Sequence, residues 1–380
     1  MVSWSWRLRA LVCCGLLSGA ACAAAQEAAT AAPIVFGQSG EFSGQGVAKE
    51  NTDGAQAYFA MVNRNGGVFG RKVELKSLDD SRDKKRVVQN TERLITQDKV
   101  FALFGYRSTP SVRAAIEVAV RERVPLIAPF SGAQSIRTPH NPLVFHLRAS
   151  YRREMEKLIN LLVTQGVSKI AMLYQDDEFG KDALTGFEEA IKKAGITAVA
   201  VADYDRKDRN ITPALKTLTA AHPQAVVMAC TPKACVDFIK QAKAGGGGGL
   251  RFLTLSNVNS DEFTRELGED GRGVMVSQVV PHPWSVGIPL VREFHRAIKD
   301  TGSQVPVSYS SFEGFIAAKL AVTALRQAGP NPTREKFMAA LESMHDLDLG
   351  GMYIQMSASD HWGSSFVDLT MIGRDGKYVR

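Results

Sequence analysis

Apolar positions along this chain switch repeatedly between a period of two and a period near 3.6, and the switches mark out its elements. Ile34-Val-Phe36 reads as a strand. A helix running to about Asn65 follows, with Ala55, Tyr58, Phe59 and Val62 on one face, and Gly66, Gly67 and Gly70 end it with residues that tolerate left-handed geometry. Val73 and Leu75 alternate in a strand over 71–78. Val87, Val88, Leu94 and Ile95 share the inner face of a helix over 84–97. A strand over 100–104, a helix over 110–123 and a strand over 124–128 complete the first block. After Tyr151 the pattern restarts, with helices over 152–165, 182–194, 212–221 and 235–244 interleaved with strands over 169–174, 197–202, 225–229 and 251–255.

Repeated βα alternation argues for an α/β fold of parallel sheets covered by helices on both faces, and two such blocks argue for two similar lobes. Ligands of such sheets bind at the carboxyl ends of strands, beside helix N-termini. That rule nominates the loops 39–46, 105–111, 129–133, 175–181, 230–235 and 256–260. The glycine run 245–249 follows a helix and lacks a Gly-Lys-Ser/Thr ending, so we read it as a flexible connection and not a phosphate loop.

The N-terminus adds an address. Arg7 and Arg9 precede a short apolar run and the small residues Ala23 to Ala25, the profile of a secretory signal peptide over 1–25. Lipid anchoring through Cys22 is the less favoured variant, because Gly19-Ala-Ala before it lacks a bulky aliphatic residue. Loss of Arg7 and Arg9 lowers the formal net charge from +7 to +5, spread through mixed-sign runs such as Arg82-Asp83-Lys84. No basic stripe with interleaved aromatics suggests nucleic-acid binding. The seven histidines are scattered and form no metal-ligating set, and no cofactor motif is present. Cys230 and Cys235 are the cysteines left after cleavage; a disulfide is expected in an exported chain, although the short spacing also resembles half a zinc site.

The nominated loops carry a resemblance. Gln38-Ser-Gly-Glu-Phe42, Asn63-Arg-Asn-Gly-Gly-Val-Phe-Gly-Arg71, Leu78-Asp-Asp80, Phe104-Gly-Tyr-Arg-Ser-Thr109, Val124-Pro-Leu-Ile-Ala-Pro129 and Tyr174-Gln-Asp-Asp-Glu-Phe-Gly-Lys181 resemble, in order and spacing, leucine/isoleucine/valine-type periplasmic binding proteins. The resemblance runs from about Ile34 to the C-terminus. It implies the type I binding-protein fold: two Rossmann-like, doubly wound lobes joined by a three-crossing hinge. We place lobe 1 at 33–147 plus 281–353 and lobe 2 at 148–280 plus 354–380, with crossings near Leu147, Val280 and Tyr353. It also implies a monomeric periplasmic protein that delivers a small carboxylate solute to an ABC importer permease at the inner membrane. A ligand-sensing receptor component of the same fold is the alternative. A secreted hydrolase is remote, since no nucleophile elbow or histidine–acid partner is evident.

The chemistry of capture can be argued from residues. Ser108 and Thr109 precede Pro110, a residue favoured at the first helical position, so a helix N-terminus with free N–H groups should face the cleft and suit a carboxylate. Ordinary N-capping by either hydroxyl would give the same sequence. The resemblance assigns this loop and Phe130-Ser131-Gly132 to the ligand carboxylate, with Gly132 standing where a threonine is common. It assigns Phe179 to ligand contact from the second lobe, although packing at a helix entrance explains that residue equally well, and Asp182 is expected to cap. Gln45, Tyr106, Cys230 and Asn257, from four nominated loops, complete the expected ligand-facing set. The largest departure from the family follows strand 251–255. Amino-acid binders tend to place an acid there for the ligand ammonium, whereas this chain has Ser256 and Asn257. A buried ammonium without a counter-charge is costly. Unless Glu41, Asp177 or Glu313 reaches it, the favoured solute is a small carboxylic acid, aromatic ones included, with a hydrophobic amino acid close behind.

Overall fold

A computed structural model describes residues 32–42 and 46–380. The expected leader 1–25, with Cys22 and the cleavage site, and Gln45 of the expected site lie outside the described residues. The first lobe opens with β1 (Ile34–Gly40), α1 (Val47–Arg64), β2 (Val73–Asp79), α2 (Lys84–Thr96), β3 (Ala102–Phe104), α3 (Thr109–Glu122), β4 (Leu126–Ile127) and β5 (Val144–Phe145). The second runs through α4 (Tyr151–Thr164), β6 (Ile170–Gln175), α5 (Glu178–Lys193), β7 (Ala200–Tyr204), α6 (Thr212–Ala220), β8 (Ala225–Ala229), α7 (Pro232–Ala244), β9 (Arg251–Thr254), α8 (Asp261–Leu267) and β10 (Met275–Gln278). The first sheet is ordered β2-β1-β3-β4-β5 and the parallel part of the second β7-β6-β8-β9-β10. Both lobes therefore share one winding, whose order reverses beside the first strand of each. Strands buried on both faces explain the continuous apolar runs: all five residues of β8 are buried.

The chain then returns to the first lobe as α9 (Pro289–Thr301), α10 (Tyr309–Ala328) and α11 (Arg334–Glu342). Helix α10 is apolar almost all round because it is buried almost all round. It packs so closely on α1 that a Cβ on Gly54 would lie 1.8 Å from the Ser311 carbonyl oxygen, and one on Gly314 would lie 1.8 Å from that of Asn51. These two glycines admit backbone-to-backbone contact that any side chain would prevent.

β11 (Leu347–Asp348), β12 (Tyr353–Ser357) and β13 (Asp360–Gly363) form a small antiparallel sheet, and β14 (Asp368–Ile372) and β15 (Tyr378–Val379) extend the second-lobe sheet beyond β10. The third crossing therefore lies between Gly363 and Asp368, and not near Tyr353. Residues 354–363 stay with lobe 1 because β12 packs on α11 and β13 on β5, and Met356 N–H donates to the Met344 carbonyl. The first and third crossings run side by side: His146 N–H donates to the His361 carbonyl at 2.8 Å and Ser364 N–H to that of Leu147 at 2.9 Å.

Helix α5 begins at Glu178, four residues earlier than the apolar pattern implied. Asp177 caps it, accepting from the N–H groups of Phe179 and Gly180. Asp182, expected to cap, reaches across to the first-lobe segment 134–135 and accepts from the N–H groups of Gln134 and Ser135, each at 3.0 Å. Arg113 of α3 pairs with Glu178 of α5 at 2.6 Å beside it. These contacts hold the lobes together outside the cleft. Among the described residues no helix is long and apolar enough to cross a membrane, and no group of histidine, cysteine and acidic side chains could hold a metal ion.

Candidate functional site

The facing strand ends of the two lobes enclose a narrow cleft of about 50 Å³. Arg107, Ser108, Thr109 and Phe130 line it from the first lobe, Tyr151 from the start of α4, and Gln175, Phe179, Arg206, Thr231, Pro232 and Asn257 from the second. The loops after β3, β6 and β8 sit at the points where strand order reverses, where an open α/β sheet leaves room between diverging helices.

Ser108 is the most strained residue of this wall, with φ +72° and ψ 127°. L residues rarely adopt such a conformation, which costs on the order of 1–3 kcal/mol and persists where surrounding structure enforces it. Ser108 occupies the N-cap position of α3, yet its side chain makes no capping bond. The hydroxyl instead stands 3.5 Å from Nη1 of Arg206, across the cleft. Ordinary capping therefore does not explain this serine. Thr109 is buried and its Oγ1 shares a 2.9 Å hydrogen bond with Oγ of Ser131. Ser131 thus supports Thr109 and does not itself line the cleft.

The other expected residues divide. Phe130 and Phe179 line the cleft, and the Phe179 ring meets Tyr151 edge-on at 5.1 Å, giving the pocket an aromatic side. Tyr106 does not line it. Side chains alternate along extended chain, so Arg107 faces the cleft while Tyr106 turns into the lobe interior and bonds Thr91 Oγ1 at 2.9 Å. Gly132 is present for close approach: a Cβ there would lie 2.8 Å from the Tyr151 backbone nitrogen and 2.9 Å from the Ala149 carbonyl oxygen. A threonine would not fit this backbone, so the residue is not merely a missing hydroxyl. Cys230 is buried, and a disulfide joins it to Cys235 with Cα atoms 5.6 Å apart, inside the range a disulfide spans. The bond closes the Thr231-Pro232 turn that forms part of the cleft wall. Asn257 borders the cleft; its Nδ2 donates to the Cys230 carbonyl at 2.8 Å, and its own carbonyl accepts from Arg107 Nη2 at 2.6 Å.

Sequence reasoning missed the cations. Arg107 lies inside a nominated loop, as do Gln175, Thr231 and Pro232, but none was singled out; Arg206 follows β7, a strand end the same rule could have nominated. Burial, with the nearby charges of Arg148, Arg82 and Arg206, pushes the Arg107 guanidinium down to about 10, partly offset by Tyr151, so it remains charged at neutral pH. Every acid considered as an ammonium partner is already engaged. Glu41 pairs with Arg82. Asp177 caps α5, accepts from Gln175 and lies 4.0 Å from Arg206. Glu313 stands 3.2 Å from Arg148 in a buried ion pair, and Arg148 also donates to Ser256 Oγ. Burial opposes the charge on Arg148, but Glu313, Tyr151 and Glu154 outweigh it and hold the guanidinium above its usual range.

Two α/β lobes of one winding, closed over a cleft at their strand ends, are the frame of a binding protein, and comparison gives the family. The family model described as "Periplasmic binding protein" matches residues 33–377. The chain belongs to this family. A substrate-binding periplasmic protein from Ralstonia solanacearum is 35% identical, covering 91% of this chain and 99% of its own, with a TM-score of 0.85. A possible leucine/isoleucine/valine-binding protein from Rhodopirellula baltica is 29% identical over 93% and 97%, with a TM-score of 0.87. Among curated relatives, "Leu/Ile/Val-binding protein homolog 7" of Brucella suis is 25% identical over 84% of this chain and 82% of its own length. This chain is thus a periplasmic binding protein, similar to relatives named for leucine/isoleucine/valine binding.

Proposed function

We propose that this protein is the solute-capturing subunit of an ABC importer, exported to the periplasm, and that its solute is a small carboxylic acid without an ammonium group, aromatic acids included. The fold alone favours neither ligand class: the same architecture is described with bound valine in a Thermus thermophilus protein and in complex with benzoate in one from R. palustris, both 18% identical to this chain. The observation that carries the reading is the charge of the cleft. Arg107 and Arg206 face it, the uncapped Ser108 hydroxyl and the start of α3 stand between them, and each nearby acid is held by another group. A carboxylate is stabilised by both guanidiniums and by the helix N-terminus. An ammonium would meet like charge in a partly desolvated site, which costs several kcal/mol against a factor of ten in affinity for each ~1.4 kcal/mol. Phe130, Tyr151 and Phe179 offer an apolar surface for the remainder of the solute.

Capture is then a matter of closure. The solute bridges donors of the first lobe to Arg206 and Asn257 of the second, and the contacts outside the cleft hold the closed form in which it is carried to the permease. Calorimetric titration of the ligand-stripped protein with benzoate, 4-methylpentanoate, 4-methyl-2-oxopentanoate and leucine tests the reading. The acids without an amine should bind and leucine should not; tight leucine binding with no binding of its amine-free analogues would refute it.

A further inference from the structure

Asn257 presents a feature that the carboxylate site leaves unused. Its side-chain Nδ2 donates to the Cys230 carbonyl at 2.8 Å, and its backbone carbonyl accepts from Arg107 of the opposite lobe. Turning the amide over would set Oδ1 against the Cys230 carbonyl, two acceptors facing each other, so the orientation is fixed. Oδ1 is buried and has no partner; among the described residues lining the cleft it is the one buried side-chain polar atom in that position. Buried acceptors are nearly always satisfied, and the exceptions call for an explanation. An amide oxygen pre-aligned in a binding wall is explained by a donor that arrives with the ligand.

We infer that the solute carries, besides its carboxylate, a neutral hydrogen-bond donor accepted by Asn257: a hydroxyl, or an amide or ring N–H. The inference rests on the reading of the solute as a carboxylate, and it narrows that class to hydroxy-, amido- or heteroaryl acids. An ammonium would also donate, but it would share the cleft with the guanidiniums of Arg107 and Arg206. A neutral donor meets no such repulsion. Sites built around a ligand hydroxyl discriminate sharply against the analogue that lacks it, because the site's own polar group is then left unpaired.

The test is calorimetric titration of the whole mature chain with matched acids: benzoate, its three monohydroxy isomers and the corresponding methoxy isomers, together with 4-methylpentanoate and 2-hydroxy-4-methylpentanoate. At least one hydroxy acid should bind about tenfold more tightly than both its unsubstituted parent and, in the aromatic set, its methoxy counterpart. Asn257→Leu should erase that advantage, so that hydroxylated and parent acids bind the variant with equal affinity. Equal affinity of hydroxylated and parent acids in the native chain overturns the inference, and so does an advantage that survives in Asn257→Leu. The native ranking decides even if that variant fails to fold. Binding of leucine with no binding of any of these acids would instead remove the carboxylate reading on which the inference stands.

Discussion

Replacing Ser108 separates a binding role from a structural one more cleanly than any other change in the cleft. An N-cap serine whose hydroxyl satisfies the helix costs about 0.5–2 kcal/mol of stability when changed to alanine. Ser108 makes no such bond, so Ser108→Ala should leave the melting temperature of the unliganded protein where it was. Ser108→Gly should raise it, since φ +72° is a conformation glycine tolerates better than serine. Relief of about 1 kcal/mol of strain corresponds, in a chain this long, to an increase on the order of 1–2 °C. Binding should move the other way. A hydrogen bond to a charged group is worth about 1.5–3 kcal/mol, so either variant should weaken a carboxylate ligand by roughly ten- to a hundredfold. The assay pairs thermal unfolding without ligand with calorimetry using the tightest acid from the screen. A variant that melts several degrees lower yet binds as before would show that Ser108 serves the helix and not the solute, and the reasoning would fail.

Other perturbations test the surrounding frame. Removing the disulfide with Cys230→Ser and Cys235→Ser should cost about 2 kcal/mol of stability for so short a loop, and it should also weaken ligand binding, because the Thr231-Pro232 wall is freed; unchanged affinity in the double variant would separate that bond from the cleft. Asp182→Ala together with Arg113→Ala deletes contacts between the lobes outside the cleft; small-angle scattering should show a larger radius of gyration without ligand and compaction at saturation, and identical profiles for native and variant would refute their role in closure. Glu50 lies at the lobe boundary, accepting from Asp261 N–H and Ser308 Oγ. Burial pushes its carboxyl from 4.5 to about 7, against those hydrogen bonds and with help from Asp261 and Glu262. The folded form therefore binds this proton more tightly than the unfolded one. Its contribution to stability should fall as pH rises from about 4.5 to 7, and Glu50→Gln should flatten that part of the stability–pH curve; an unchanged slope in the variant would contradict the assignment.

The division between what was legible and what was not follows the range of the interactions. Periodicity is a local property, so β8 and the burying faces of α1 and α2 could be read from the chain, and the alternation of strands and helices was enough for two parallel α/β lobes with binding loops at the strand ends. The start of α5 was misread because the apolar pattern begins at Ala183, while the helix is set by Asp177 accepting backbone N–H groups, a polar signal outside that pattern. The third crossing was misplaced for a different reason. Residues 354–363 alternate like strand in either lobe, and only the packing of β12 on α11 and of β13 on β5 decides which lobe takes them.

The sequence alone determined the fold class, the family resemblance and five of the loops that meet in the cleft, because each depends on residue types at short spacing. It also exposed the missing acid after β9, since a charge that is not in the chain cannot appear in the site. Only the tertiary structure decided which side chains of those loops face the cleft. Arg107 and Tyr106 are neighbours in sequence and point to opposite sides; Arg206 meets Ser108 from 98 residues away; Glu313 is spent on Arg148 across 165 positions. Those pairings depend on how two sheets and a hinge stand in space, and charge acts through distance in space and not along the chain.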